Sequence, residues 1–307
     1  MTYLVAADLP QTSPGARFRA LLDRPEILQI PGAHSGLASL QARDADFEAL
    51  YLSGAAVSAS MGLPDLGILT VDDMAYHVRQ VARASDLPIL ADGDTGYGEA
   101  LNVMHMVRSF EDAGAGAVQI EDQLLPKKCG HLNDKQLAVP ADMAAKVNAA
   151  KRASRDLFVL ARTDAAASEG IEGAVARAKA YLEAGADGIF PEALTDVEMF
   201  REVARRLPGV KLLANMTEFG RTPALTAQEF QELGFAMVIW PVSSLRVAAK
   251  AQEALYAEIR ARGTPKALIP QMQTRAELYD TIRYWDYEAL DRNIVQTVLP
   301  PESQGAN

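Results

Sequence analysis

The feature that most constrains the fold of this chain is a repeated alternation of short apolar runs with longer amphipathic segments. Eight runs rich in Ile, Leu and Val have the length of β-strands: 27–30, 49–52, 88–91, 118–120, 157–161, 188–190, 211–214 and 237–240. The segments between them have helical spacing, as at 71–84, 99–113, 140–153, 171–184, 195–206 and 226–233. Because most of the runs are continuously apolar, both faces of each strand are predicted to be buried, as in parallel sheets.

Eight strand–helix units favour a (β/α)8 barrel of the TIM type over an open doubly wound sheet, which usually has fewer strands. Neither a dinucleotide-binding glycine fingerprint nor a phosphate loop is present, and the glycine-rich run at 93–98 has the wrong spacing for both. We therefore predict one barrel domain over 1–307, with a loose N-terminal arm over 1–13 and a helical extension over about 264–298.

The residues after the eighth strand indicate contacts beyond one barrel. A helix at 244–262 is predicted to close the repeat, and the capping-box pattern from Thr274 to Glu277 opens another. A further helix at 284–296 carries Tyr284 and Trp285. Aromatic helices outside a closed barrel need a surface to pack on, either one end of their own barrel or a second subunit. We expect contacts between subunits of a homo-oligomer.

Composition excludes several classes of function. The formal net charge of −10 argues against a nucleic-acid-binding protein and against binding to an anionic membrane surface. The single cysteine cannot form an internal disulfide, the N-terminus has no secretion signal, and no segment approaches the roughly 20 apolar residues of a membrane span. We expect a cytoplasmic protein. Four scattered histidines argue against a multi-histidine zinc site.

Carboxylates follow several of the predicted strands. In a barrel the carboxyl ends of all strands face one rim, so these side chains are expected to converge there. Asp92, Asp94 and Glu121 follow neighbouring strands, and Asp65 lies in the long connection after the second strand. Such acids raise one another's pKa unless a cation joins them, and oxygen ligands without histidine suit Mg²⁺ or Mn²⁺. We predict one direct ligand, Asp92, with the other carboxylates bound through water.

Arginines stand near the same rim. Arg162 and Arg246 follow strands, and Arg275 opens a later helix. Because guanidinium forks match carboxylates, a metal with several arginines indicates a small substrate that carries two or three carboxylates.

The segment Lys127-Lys128-Cys129-Gly130-His131 combines two lysines, the only cysteine and a histidine within five residues. Positive neighbours stabilise a thiolate and lower the pKa of Cys129, so this residue could act as a nucleophile or as a proton donor and acceptor. Lys127 and His131 are candidates for tuning the thiol or meeting an anionic substrate.

The segments at 127–131 and 92–98 resemble the isocitrate lyase/phosphoenolpyruvate mutase superfamily, and the resemblance covers nearly the whole chain. Within it, further segments are similar to the 2-methylisocitrate lyases: 51–54, 62–67, 161–165, 190–193, 215–220 and 272–275. The resemblance implies a (β/α)8 barrel, often in tetramers whose last barrel helix swaps between neighbours. It also implies a Mg²⁺-dependent carbon–carbon lyase that splits 2-methylisocitrate into pyruvate and succinate in the methylcitrate cycle of propionate catabolism.

By position, the resemblance assigns a role to each site residue. Asp65 and Asp92 match metal-site aspartates, with Asp94 and Glu121 around them, and Cys129 and Gly130 match the catalytic loop. The remaining matches are to substrate contacts: Ser53, Gly54, Ala55, Arg162, Glu192, Asn215, Thr217, Arg246 and Arg275.

Two questions stay open at this point. The base that removes the substrate's hydroxyl proton is either Tyr51 or a metal-linked carboxylate. Some relatives have two glycines after the serine where this chain has Gly54-Ala55, so substrate choice is less certain than reaction class. The alternatives are a related lyase, decarboxylase or hydrolase that acts on oxaloacetate, 2,3-dimethylmalate or isocitrate, and a non-catalytic metabolite-binding barrel.

Overall fold

The computed structural model describes residues 2–127 and 136–294, in which eight parallel strands form a nearly closed barrel. The strands are β1 (Leu28–Pro31), β2 (Leu50–Leu52), β3 (Ile89–Asp92), β4 (Ala115–Glu121), β5 (Phe158–Thr163), β6 (Gly188–Pro191), β7 (Lys211–Asn215) and β8 (Met237–Trp240). Neighbours in this order pair in parallel from β2 to β8, and β1 pairs with β8. A bridge between Gly32, which directly follows β1, and Tyr51 in the middle of β2 joins these two strands. The predicted (β/α)8 fold is confirmed.

One helix precedes the first strand, others fill the connections between strands, and three follow the last strand in the described part of the chain. They are α1 (Pro14–Leu22), α2 (Gly36–Asp44), α3 (Gly54–Ser60), α4 (Val71–Ser85), α5 (Ala100–Ala113), α6 (Pro140–Ala153), α7 (Ala166–Glu183), α8 (Val197–Arg206), α9 (Ala227–Glu232), α10 (Ser243–Arg262), α11 (Arg275–Thr281) and α12 (Tyr284–Asn293). Within these described residues no helix has both the length and the apolar character needed to cross a membrane.

Helix α1 closes the amino end of the barrel. Ser13 caps it and Pro14 occupies its first turn. Phe18 packs inside the barrel with Phe158 and Leu160. The fit is close, because a Cβ added to Gly116 on β4 would lie 2.7 Å from the carbonyl oxygen of Pro14. Since apolar side chains fill the inside of this end, the barrel interior offers no polar pocket here among the described residues.

A partly buried ion cluster at the amino end leads to a prediction about stability. The Asp187 carboxylate accepts hydrogen bonds from Arg19 at 3.1 Å, from Lys151 at 2.7 Å and from the backbone N–H of Val159 at 2.8 Å. Burial acts to raise the pKa of Asp187, but these donors outweigh it and lower the pKa below its usual value. The charged carboxylate therefore stabilises the fold above the unfolded-state pKa of about 3.9, and this stability is lost as the pH falls through the lower folded-state pKa.

We expect Asp187→Asn to reduce the free energy of unfolding by about 1–3 kcal/mol at pH 7, because it leaves buried donors poorly paired. The difference from wild type is expected to stay constant between pH 8 and pH 5 and to shrink below pH 4. Urea unfolding over this pH range measures it, and a difference that grows on acidification would contradict the assignment.

Candidate active site

A cavity of about 100 Å³ opens at the carboxyl end of the barrel. Its lining contains most of the residues predicted from the sequence: Tyr51, Ser53, Ala55, Asp65, Asp92, Glu121, Lys127, Arg162, Glu192, Asn215, Thr217 and Arg246. An apolar wall that was not predicted from the sequence completes the lining: Phe190, Ile239, Pro241 and Val242. The carboxyl ends of the strands thus bring acids, cations and an apolar surface together around one small cavity.

The remaining predicted residues have different positions. Gly54 lies directly behind the cavity, where its N–H donates to Asp92 Oδ2 at 3.0 Å. Arg275 was expected to face the substrate, but in one chain it is exposed and does not line the cavity. The reason is that α11, which it opens, packs beside α2 rather than over the strand ends. Cys129, Gly130 and His131 lie outside the described residues.

Lys127 is the cation at the centre of the acids. Its ammonium lies 2.8 Å from Asp65 Oδ1 and forms a second ion pair with Asp94. Burial acts to lower the pKa of Lys127, but the surrounding carboxylates outweigh it and raise the pKa, so the side chain stays protonated. The sequence suggested that Lys127 tunes the thiol, whereas in this structure its described partners are the carboxylates.

Asp92 is held rigidly at the end of β3. Its Oδ1 accepts from the N–H of Asp94 at 3.1 Å and from Gln119 Nε2 at 2.9 Å, while Oδ2 accepts from Gly54. Although burial acts to raise the pKa of Asp92, Lys127 and these N–H groups lower it. The carboxylate is therefore ionised and pre-oriented. Gln119 was not singled out from the sequence, although an amide inside an apolar strand was a signal for it.

The donor set fits a divalent cation of the hard type. Asp65, Asp92, Asp94 and Glu121 offer carboxylate oxygens, and Glu121 Oε1 is buried with no hydrogen-bond partner among residues 2–127 and 136–294. Among the described residues no three acidic, histidine or cysteine side chains converge as a ready-made metal site. Instead, the Lys127 ammonium balances the charge of Asp65 and Asp94. Few direct ligands and several waters are what Mg²⁺ prefers in proteins.

Arg162 forms the opposite side of the cluster. Its Nε and Nη2 bind the two oxygens of Asp164 at 2.9 and 3.2 Å. Its Nη1 lies 3.3 Å from Glu121 Oε2 and 3.5 Å from Glu192 Oε2, and the guanidinium lies over the ring of Phe190. Burial acts to lower the pKa of Arg162, but Asp164, Glu121 and Glu192 raise it. The result is a fixed positive group at the cavity wall.

The two candidates for the general base differ in pKa. Burial, reinforced by Asp92, raises the pKa of Tyr51 well above its usual value of about 10, so the phenol keeps its proton at neutral pH. Burial also raises the pKa of Glu121, to about 8, against the opposing effect of Arg162. Since a general base works best with a pKa near the working pH, Glu121 matches this role better than Tyr51, and the assignment stays a prediction.

The mouth of the cavity carries polar groups from β7 and α10. Asn215 Nδ2 donates to Glu192 Oε2 at 3.1 Å, and Asn215 Oδ1 is buried and has no hydrogen-bond partner in the part of the chain that the structure describes. Arg246 Nη1 lies 2.8 Å from Glu218 and 3.4 Å from Thr217 Oγ1. Arg246 is exposed, and its guanidinium is oriented by these partners. These groups can meet a carboxylate that enters from solvent.

Comparison with known proteins gives consistent results. A family model described as phosphoenolpyruvate phosphomutase matches residues 18–260. The 2-methylisocitrate lyase of Bacillus subtilis (strain 168) is 54% identical over 302 residues, which cover 98% of this chain and 100% of that protein. The 2-methylisocitrate lyase of Aeropyrum pernix is 49% identical over 93% of this chain and 92% of its own length.

Solved structures share the architecture. A 2,3-dimethylmalate lyase, described as a PEP mutase/isocitrate lyase superfamily member, superposes with a TM-score of 0.86 at 34% identity, covering 92% of this chain and 96% of that one. A phosphonopyruvate hydrolase in complex with oxalate and Mg²⁺ gives a TM-score of 0.84 at 28% identity, covering 93% of this chain and 100% of that one.

Proposed function

The chain belongs to the phosphoenolpyruvate mutase/isocitrate lyase superfamily, and from that membership we propose that it cleaves 2-methylisocitrate to pyruvate and succinate. The observation that carries this proposal is the 54% identity to a 2-methylisocitrate lyase over 98% of the chain. The site agrees with it, because carboxylates, arginines and an apolar wall line one cavity at the strand ends. The proposed reaction belongs to propionate catabolism in the cytoplasm, by the methylcitrate cycle.

The proposed cofactor is Mg²⁺, with Mn²⁺ as a substitute. Asp92 is the expected direct ligand, and Asp65, Asp94 and Glu121 are expected to act through water. Support comes from the hard oxygen donors of this chain and from the Mg²⁺ in the related phosphonopyruvate hydrolase. When bound, the cation polarises the hydroxyl and carboxylate groups of the half that becomes pyruvate.

The protein's own groups then have separate roles in the reaction. The segment Ser53–Ala55 holds the 2-oxoacid portion, and a carboxylate takes the hydroxyl proton as the carbon–oxygen double bond forms. The carbon–carbon bond breaks and its electron pair moves to the succinate portion, where Arg162, Asn215, Thr217 and Arg246 stabilise the developing charge. Cys129 then delivers a proton to that carbon, which completes succinate.

A substrate panel tests the proposal. We expect turnover of 2-methylisocitrate with Mg²⁺, and a kcat/KM about 10- to 100-fold above that for isocitrate, since one methyl group in an apolar pocket is worth this much discrimination. Activity is expected to be lost on addition of EDTA and restored by Mg²⁺. Release of 2-oxoacid is measured from 2-methylisocitrate, isocitrate, 2,3-dimethylmalate and oxaloacetate. A higher kcat/KM for oxaloacetate or 2,3-dimethylmalate would overturn the substrate assignment. Full activity in EDTA would overturn the proposal that a metal cofactor is needed.

We also propose that the enzyme is a homo-oligomer, with a tetramer as the expected form. Helix α10 follows β8, where a barrel needs its last covering helix, yet none of its residues is buried within one chain. Val247 and Tyr256 on this helix are largely exposed, and α11 and α12 bury no residue either. Burying these exposed apolar side chains against a neighbouring subunit would stabilise the assembly. Sedimentation equilibrium is expected to give about four times the 33.1 kDa chain mass, and a monomer would refute the proposal.

A further inference from the structure

The carboxylate of Asp122, the residue after Glu121, is buried and does not line the cavity. It nevertheless accepts hydrogen bonds from four groups. Thr163 Oγ1 at 2.8 Å and the Asp164 N–H at 2.9 Å come from the end of β5. Tyr181 Oη at 2.7 Å and Arg177 Nη1 at 3.3 Å come from α7. One side chain thus ties the end of β4 to the end of β5 and to the helix that follows it.

The same residues also hold the backbone that follows β4 and leads to the cavity. The N–H of Ala138 donates to the carbonyl oxygen of Asp122 at 2.8 Å, and Arg177 Nη1 donates to the carbonyl oxygen of Ala138 at 2.8 Å. The N–H of Leu124 donates to Gln136 O at 2.8 Å. The chain is therefore held on both sides of the segment from Leu124 to Gln136, which includes the site residue Lys127.

A short path connects Asp122 to the cavity. Asp122 holds the backbone N–H of Asp164, and Asp164 holds the guanidinium of Arg162 with both of its carboxylate oxygens. Arg162 in turn faces Glu121 and Glu192 in the cavity wall. Any rotation of the Asp164 backbone turns the Arg162 fork away from these partners.

We propose that Asp122, supported by Tyr181 and Arg177, is a positioning residue for carbon–carbon bond cleavage. It orients the Arg162 guanidinium and directs the backbone toward Lys127, and it does not itself touch the substrate. The inference rests on the proposed lyase function. Its basis is that small misplacements of charged groups cost catalysis far more than they cost stability.

The test uses two variants of the full-length, Mg²⁺-loaded enzyme. Asp122→Asn turns one acceptor into a donor that faces other donors, and we expect it to lower kcat for 2-methylisocitrate about 10- to 100-fold. Tyr181→Phe removes one hydroxyl from a buried site with almost no change of shape, and we expect a smaller loss of about 3- to 10-fold. The change in KM is expected to be smaller than the change in kcat in both.

Asp187→Asn is the matched control, because Asp187 is also a carboxylate with several donors, partly buried, but lies at the amino end of the barrel. We expect it to lower Tm and to leave kcat per folded molecule unchanged. If Tyr181→Phe and any folded Asp122→Asn enzyme both behave in this way, the role of Asp122 is structural and the inference is overturned. Should Asp122→Asn fail to fold, Tyr181→Phe decides alone.

Hydrogen exchange separates this inference from the proposed function. In Tyr181→Phe the amides of Asp164 and Ala138 are expected to exchange faster than in wild type, while amides near Asp187 are unchanged. If wild type fails to cleave 2-methylisocitrate, the proposed function fails, and the exchange result still reports whether the Asp122 network holds the backbone at Asp164 and Ala138. Unchanged exchange at both amides would overturn the inference whatever the substrate.

Discussion

Replacing Cys129 by serine is expected to lower kcat for 2-methylisocitrate about 1,000-fold and to leave KM within a few-fold of wild type. In the proposed reaction the thiol supplies the proton to the carbon that held the broken bond. A serine hydroxyl has nearly the same size but is a far weaker acid than a thiol with an ordinary pKa of about 8.5, so proton transfer is lost while binding is kept. General acid catalysis of this kind contributes about 10²- to 10⁴-fold.

Two measurements accompany the kinetics of Cys129→Ser. Mg²⁺ and succinate affinities by calorimetry are expected to match those of wild type. Because Cys129 is the only cysteine in the chain, a small thiol-modifying reagent is expected to inactivate wild type and to leave the residual activity of the variant unchanged. Near-wild-type turnover by Cys129→Ser would remove the thiol from the mechanism.

The barrel was predictable because burial on two faces leaves continuous apolar runs in the sequence. The first and last residues of the strands were harder to predict. β4 begins at Ala115, earlier than predicted. The small residues Ala115 and Gly116 are not typical of strands, but they take the extended conformation here, where α1 packs against them. Helix α3 was not predicted, since its first residues Gly54 and Ala55 show no periodicity. It begins where Ser53 accepts a hydrogen bond from the N–H of Ala56.

The candidate site was predictable wherever a residue follows a strand directly, because the barrel itself brings these positions together. Asp92, Glu121 and Arg162 were found in this way. The contacts of Lys127 with Asp65 and Asp94 depend on the path of a loop, which strand periodicity does not encode. The roles of Asp122 and its partners in α7 were missed for the same reason, since hydrogen bonds between residues far apart in the chain leave no local pattern. Arg275 was assigned by its motif alone; it does not line the cavity of a single chain, and its role stays a prediction.

Replacing Arg162 by lysine is expected to lower kcat/KM for 2-methylisocitrate about 100- to 1,000-fold. The guanidinium uses two nitrogens on Asp164 and presents a third toward Glu121 and Glu192. A lysine ammonium keeps the positive charge that these buried carboxylates require, but it is a compact group that cannot hold Asp164 at two points and face the cavity at once. The loss therefore reports orientation of charge in the transition state, where one well-placed donor is worth about this much.

Arg205→Lys is the matched control for Arg162→Lys. Arg205 also binds one carboxylate, that of Glu202, through two hydrogen bonds of 2.8 and 2.7 Å, but it does so on the exposed surface of α8. We expect Arg205→Lys to leave kcat/KM and Tm unchanged, because exposed ion pairs contribute little. For Arg162→Lys, a few degrees of lost Tm are compatible with the argument. A kcat/KM within threefold of wild type would instead mean that the charge of Arg162 only balances its acidic neighbours, and that its fork has no part in the reaction.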